Sequence, residues 1–263
     1  MTQESFDNLH YCVSDRVATI TLATPDGKNR LSAQVMSEAA SAIKQANSAE
    51  DVGCILITAK GRLFSAGINM EEVLLPKVIG KEAYIENDPF TGGLGIFDED
   101  WTALLRNSKP IVVAFNGPAI GGGITVFLAA DVLIASEDAS FSFPFVKLGA
   151  VPEACSTKYL PTRVGFGRAS EILLSGRSVD SKEAEKIGLI DHLVPAQQLL
   201  TRATDIASSI ASTPTTMTTL TKQLLSDNCM EQDTSQVWRR ESDALKACFE
   251  SSDFDAVIKK MRP

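Results

Sequence analysis

The segment Lys109–Gly123, KPIVVAFNGPAIGGG, constrains the fold of this 263-residue chain more than any other. Its apolar run Ile111–Phe115 has the length and boundaries of a buried strand. The run stops at Asn116-Gly117-Pro118, a turn signal, and the segment ends in three consecutive glycines. Gly123–Ala130 (GITVFLAA) then reads as a short buried helix. Gly121-Gly122-Gly123 therefore fall where a strand hands over to a helix N-terminus. Residues without Cβ let another molecule approach the backbone closely. A helix start leaves N–H groups without intrahelical acceptors at the positive end of the dipole, a place suited to a developing negative charge. A tight turn or close helix packing explains the same glycines. No Lys-Ser/Thr follows, which excludes a P-loop, and the G-x-G-x-x-G spacing of a dinucleotide site is absent.

Around this segment short strand and helix signals alternate. Tyr11–Val13 and Val17–Leu22 flank Ser14-Asp15-Arg16 as a hairpin, and the polar turn Pro25–Asn29 follows. Ser32 is placed to cap a helix to about Asn47, with Met36, Ala39, Ala40 and Ile43 on one face. Cys54–Thr58 reads as a buried strand, Ala59–Gly93 as mostly irregular around a short Glu71–Leu75 turn, and Phe97–Asn107 as a helix. A loop that long in a compact domain is usually functional. Val132–Ala135 is a further strand. Recurring strand–helix units imply parallel strands joined by right-handed crossovers. Helices are expected over Arg168–Leu174 and Ser181–Ile187, closed by Gly176 and Gly188. Gln197–Ser212 is helical by spacing, and two or three more helices run from Pro214 to Met261. The chain reads as an α/β core over residues 1–195 and a helical region over 196–263, whose apolar face suits packing against a neighbouring subunit.

Composition narrows the function. Hydrophobic residues make up 44% of the chain, ample for a core, and the net charge is −8 without a Lys/Arg stripe, so nucleic acid is not an expected partner. Cys12, Cys54, Cys155, Cys229 and Cys248 are scattered and odd in number, as in a reduced cytoplasmic protein. With only His10, before the first strand, and His192, in a strand-like stretch, neither a Ser-His-Asp triad nor a metal site is expected. The first ten residues carry no signal-peptide pattern, no apolar run reaches transmembrane length, and KKMRP is not a peroxisomal tripeptide.

Several pieces resemble the crotonase (enoyl-CoA hydratase/isomerase) superfamily, in that family's order and across nearly the whole chain. They are Gly61–Asn69 (GRLFSAGIN), Lys109–Gly123, Ala130–Ala135 (ADVLIA), Leu148–Glu153 (LGAVPE), Leu173–Gly176 (LLSG) and Glu183–Val194 (EAEKIGLIDHLV). The resemblance implies a spiral of ββα units, a C-terminal helical trimerisation region and a homotrimer or dimer of trimers. It implies an acyl-CoA thioester as substrate, with no separate cofactor. It also implies an oxyanion hole made by the backbone N–H groups of Ile68 and Gly122. Ser65, Ala66 and Gly67 would line the adenine end of CoA. Asn69 stands where aspartate is frequent and reads as a loop-turn residue in the same substrate-binding stretch, and Met70 follows it.

The resemblance also implies which reaction to expect. Hydratases of the family use two glutamates, and Thr125 and Phe145 stand at those positions here. Neither is a general acid or base near neutral pH. Glu153, in VPEACS, looks like the catalytic glutamate of peroxisomal-type Δ3,Δ2-enoyl-CoA isomerases. Read without the resemblance, Glu153 suits the start of the following helix, where an acid favours the dipole. One carboxylate suffices to move a double bond from C3–C4 to C2–C3, and Val151, Phe145, Met70, Phe97 and Trp101 are candidates for its apolar surround, each equally suited to plain core. The expected activity is therefore Δ3,Δ2-isomerisation. The alternatives are a hydratase, a ring isomerase or dehalogenase-like enzyme of the superfamily, and a non-catalytic acyl-CoA or protein-binding module. Dehalogenation would need a nucleophilic aspartate and a placed histidine, which the sequence does not offer.

Overall fold

The computed structural model describes residues 6–261. The readings of the extreme termini rest in part on residues 1–5 and 262–263, which lie outside the described residues. Nine strands are described: β1 Leu9–Ser14, β2 Val17–Leu22, β3 Cys54–Ala59, β4 Ile111–Phe115, β5 Ala119–Ile120, β6 Val132–Ser136, β7 Ser140–Ser142, β8 Ser178–Asp180 and β9 His192–Val194. In the first half the helices are α1 Ala33–Ser48, α2 Leu75–Val78, α3 Trp101–Arg106 and α4 Gly122–Thr125. There follow α5 Ser156–Val164, α6 Phe166–Ser175, α7 Ser181–Ile187 and α8 Leu199–Ala211, then α9 Thr215–Asn228, α10 Thr234–Phe249 and α11 Ser252–Met261.

The main sheet has the order β1-β2-β3-β4-β6-β9. Every pair in it is parallel except the β1–β2 hairpin, as the alternating strand–helix signals imply. A second sheet, β5-β7-β8, stands beside it. Both faces of the main sheet are covered, which is why β3 and β4 are buried throughout and, but for Thr58, apolar. Ile55, Ile57, Ile111 and Val113 join the large core with Met36, Ala39 and Ile43 of α1. Cys54, Leu56, Val112 and Ala114 point the other way, onto Leu199, Ala203, Ala207 and Ala211 of α8. The alanine stripe lets α8 lie close to the sheet, and Arg16 Nε caps its end on Ala211 O at 2.9 Å. Ser32 caps α1 as expected, its side chain accepting from Val35 N.

Three local expectations need correction. The helix expected over Gly123–Ala130 is regular only over Gly122–Thr125. Beyond it, side chains supply hydrogen bonds in place of further helical turns: Trp101 Nε1 donates to Val126 O at 2.7 Å, and Arg163 donates to Leu128 O and Ala130 O. The helix expected from Phe97 starts at Trp101, because Asp100 caps it by accepting from Ala103 N at 2.9 Å. His10 lies inside β1 and is exposed.

The C-terminal helices attach unequally. Lys222 of α9 is 6% exposed and pairs with Asp131 at 2.8 Å, fixing α9 to the start of β6. No residue of α10 or α11 is buried, and Trp238, Leu245 and Phe249 are exposed. Among the described residues no helix is long and apolar enough to cross a membrane.

Candidate active site

Three chain segments meet around a cavity of about 710 Å³: Ala66–Met70, Gly121–Gly122 and Pro144–Glu153. A fourth wall comes from the long connection, through Phe90, Leu94 and Ile96. Among the described residues, Glu153 is the only ionisable side chain in the lining.

The first segment is held from beneath. Phe64 is fully buried, with its ring 4.4 Å from that of Phe115 and 5.3 Å from that of Phe127. Ser65 is also fully buried, and its Oγ donates to Asn29 O at 2.6 Å while accepting from Gly67 N at 3.1 Å. Ser65 therefore shapes the loop and does not line the cavity, whereas Ala66 and Gly67 do. Asn29 completes the support: its Nδ2 donates to Lys60 O and Leu63 O, at 3.1 Å each. Its left-handed backbone (φ 49°) suits asparagine, and the polar turn Pro25–Asn29 was the available sequence signal for this role. Asn69 caps the short turn Met70–Leu74 and bonds Glu72, again without lining the cavity. Met70 does line it.

The two implied oxyanion donors are free to act. Leu31 pairs with the flanking residues of Ile68, since Leu31 N donates to Gly67 O and Asn69 N to Leu31 O, both at 2.8 Å. Ile68 N–H therefore faces away from that pairing. Gly121 N donates to Ser142 O at 2.9 Å, while Gly122 N–H, the first of α4, has no intrahelical acceptor. Among the described residues no hydrogen bond engages either the Ile68 or the Gly122 N–H. The glycines also serve packing. A Cβ on Gly123 would sit 2.7 Å from Ser65 O, so the third glycine is what lets α4 lie against the first segment. A single turn has almost no macrodipole, so the positive potential here belongs to individual N–H groups.

Glu153 lies beside Gly122. A Cβ on Gly122 would sit 3.3 Å from Ile68 Cγ1 and 3.6 Å from Glu153 Oε1, which brings donor, donor strand and carboxylate to one spot. Glu153 does not cap α5, whose N-cap residue is Cys155 and which has no side-chain cap. Ala154 and Cys155 are both left-handed (φ 52° and 54°), and this pair separates Glu153 from the helix. Its Oε1 accepts from Thr125 Oγ1 at 2.7 Å. Burial pushes the Glu153 carboxyl up from its ordinary value, and the Thr125 hydrogen bond and its own N–H counter part of that rise.

Of the expected apolar surround, Phe145, Val151 and Met70 line the cavity. Phe97 and Trp101 do not: they line a shallow groove beside α1, because Trp101 is turned into the core toward Val126 O. Sequence reasoning missed Phe90, Leu94 and Ile96, which lie in a glycine-rich stretch without periodicity. One carboxylate organises them. Asp88 accepts from the N–H groups of Phe90, Thr91, Gly93 and Gly95 at 2.9, 3.0, 3.2 and 2.9 Å and from the Thr91 hydroxyl; against the opposing effect of burial, the Thr91 hydroxyl and the N–H groups of Gly95, Phe90 and Thr91 hold its carboxyl well below the usual range. Among the described residues no group of three or more His, Cys, Asp or Glu gathers as a metal site. The arrangement can hold a carbonyl oxygen as it gains charge and move a proton beside it without water.

The chain is similar to known proteins along most of its length. The model of the enoyl-CoA hydratase/isomerase family matches residues 13–260. A probable enoyl-CoA hydratase of Mycobacterium bovis is 31% identical over 94% of this chain and 93% of its own length. A 4-chlorobenzoyl coenzyme A dehalogenase of an Arthrobacter species is 33% identical over 83% of this chain and 77% of its own. The crystal structure of an enoyl-CoA hydratase from Bacillus anthracis superposes with a TM-score of 0.80 at 26% identity, covering 97% of both chains.

Proposed function

The chain belongs to the enoyl-CoA hydratase/isomerase family, and from that premise we propose that it is a Δ3,Δ2-enoyl-CoA isomerase. The observation that carries this reading is a single carboxylate, Glu153, in an otherwise non-ionisable cavity, 3.6 Å from where a Gly122 Cβ would lie. The thioester oxygen of a 3-enoyl-CoA accepts from Ile68 and Gly122 N–H. Glu153 takes a proton from C2: the C2–H bond breaks, an O–H bond forms, and the electron pair spreads into a dienolate whose charge rests on the thioester oxygen. The same carboxyl returns the proton to C4, leaving the double bond at C2–C3. A base in an apolar site has its pKa drawn toward working pH, which suits this exchange. The local likeness of VPEACS to peroxisomal-type isomerases supports the same choice.

Hydration is the second reading, because relatives such as that of Mycobacterium bovis are named probable hydratases. It requires deprotonating water while protonating C2, and Thr125 and Phe145 stand where the family's two glutamates would be. For aryl dehalogenation, no Asp or His lines the cavity among the described residues. A pure acyl-CoA binder has no use for an acid facing the thioester. Exposed Trp238, Leu245 and Phe249 support assembly into a homotrimer or dimer of trimers, and the five free cysteines support a cytoplasmic setting.

The test is Glu153→Gln. The variant is expected to bind CoA esters as the wild type does and to lose isomerisation of a 3-enoyl-CoA. Wild-type protein that converts a 2-enoyl-CoA to the 3-hydroxy ester faster than it isomerises the 3-enoyl ester would move the assignment to hydratase.

A further inference from the structure

Thr125 stands where the family resemblance puts one of the two hydratase glutamates, and its hydroxyl is in direct contact with Glu153. The residue is 1% exposed, and its Oγ1 lies 2.7 Å from Glu153 Oε1 and 3.2 Å from Gly121 O. A hydroxyl has one proton to donate. Gly121 O already accepts from the N–H groups of Ile124 and Thr125, at 3.1 Å each, so both its lone pairs are engaged. The Glu153 carboxyl is the nearer acceptor, and among the described residues it has no other side-chain donor. We propose that Thr125 is a positioning residue that caps Glu153 Oε1 and thereby makes Oε2 the oxygen that carries the proton between C2 and C4. This rests on the isomerase reading above.

The two oxygens then do different work. Oε1 accepts from Thr125 whether Glu153 is charged or neutral, because a protonated carboxyl keeps one carbonyl-type oxygen. An Oε1 that already accepts from Thr125 is the less basic of the two oxygens, so the proton taken from C2 is directed to Oε2. Removal from C2 breaks C2–H and forms Oε2–H; delivery breaks Oε2–H and forms C4–H, with no other reactant. A side chain fixed at one oxygen can swing the other only a short way, which suits a shuttle between two carbons on one face of the acyl chain. The bond is stronger to the charged form, so it also keeps Glu153 available as a base despite burial.

The test compares Thr125→Val, which removes the hydroxyl with little change of shape, with Thr125→Ser, which keeps it. In Thr125→Val, kcat for a 3-enoyl-CoA is expected to fall at least tenfold with KM little changed. The acid limb of the kcat profile is expected to move up by about one to two pH units, the shift that losing a hydrogen bond to an ionised group produces. Thr125→Ser should return both toward wild type. Carbon NMR titration of the Glu153 carboxyl in the substrate-free protein, assigned with Glu153→Gln, should show the same upward displacement in Thr125→Val. Unchanged Glu153 titration in Thr125→Val overturns the proposal even if the wild type proves not to isomerise. A displaced titration in a protein that does not isomerise overturns the isomerase reading and, with it, the shuttle role of Oε2. A kcat loss that Thr125→Ser shares in full would also overturn it, since packing alone would then be responsible.

Discussion

Gly67 couples the stability of the fold to the oxyanion hole, and Gly67→Ala separates the two effects. Gly67 has φ +82°, and a Cβ there would sit 2.4 Å from Ile120 O, 3.3 Å from Ile120 C and 3.6 Å from Gly122 N. Both contacts are backbone, so no side chain can rotate away. The segments carrying Ile68 and Gly122 must part by roughly 1 Å to restore ordinary contact. A left-handed non-glycine residue costs about 1–2 kcal/mol and overpacking about 1–3 kcal/mol, so the fold should lose about 2–5 kcal/mol. An oxyanion donor works only within about 2.7–3.1 Å of the charged oxygen, so the same displacement removes one donor and lowers kcat about 10²–10³-fold. Gly165→Ala is the control: its φ is +81° but nothing lies within 4 Å of the new Cβ. It should carry the backbone strain alone, with kcat unchanged. Denaturant midpoints and kcat for a 3-enoyl-CoA, measured on both variants, read the two quantities. A Gly67→Ala protein with wild-type kcat, or a Gly165→Ala protein that loses as much, would refute the reasoning.

Two further outcomes follow from the same geometry. Glu153 has a raised pKa in the fold, so the folded state holds its proton more tightly than the unfolded chain and stability is lost as pH rises through the folded value. Glu153→Gln should therefore raise the denaturant midpoint at neutral and alkaline pH, with the gain vanishing below the unfolded carboxyl pKa of about 4.3. Asp88→Ala removes the acceptor of four backbone N–H groups and should loosen the Phe90–Ile96 wall. KM for long acyl chains should rise about tenfold, equivalent to about 1.4 kcal/mol, while KM for short chains stays near wild type in a chain-length series.

The parts of the site that could be read in the sequence are those whose chemistry is local. The triple glycine and the FSAG stretch mark backbone that must come close, and the contact between Gly123 and Ser65 O is that approach. Parallel strands were legible because burial on two faces forces near-continuous apolar runs, as in β3 and β4. Thr125 was legible only as a missing glutamate: its partner is 28 residues away, and the 2.7 Å bond exists because the fold closes that distance. Phe90, Leu94 and Ile96 carry no period because a carboxylate, not a helix or strand, sets their positions. Phe97 and Trp101, open in the sequence between the apolar surround and plain core, go to the core side for a related reason. An aromatic pair near a site in sequence says nothing of its direction, and the Trp101 indole is turned inward by the Val126 carbonyl. Ser65 and Asn69 belong to the substrate-binding stretch by position, but their polar atoms are spent on Asn29 O, on Gly67 N and on Glu72.

The central claim is that one carboxyl carries one proton from C2 to C4. A 3-enoyl-CoA deuterated at C2, turned over by wild-type protein in ordinary water and stopped at low conversion, tests it directly by NMR. Deuterium is expected at C4 of the 2-enoyl product, and with Glu153→Gln neither loss of C2 deuterium nor product, although the variant still binds the ester. Label transfer that persists in Glu153→Gln, or a product hydroxylated at C3 with no deuterium at C4, would contradict it.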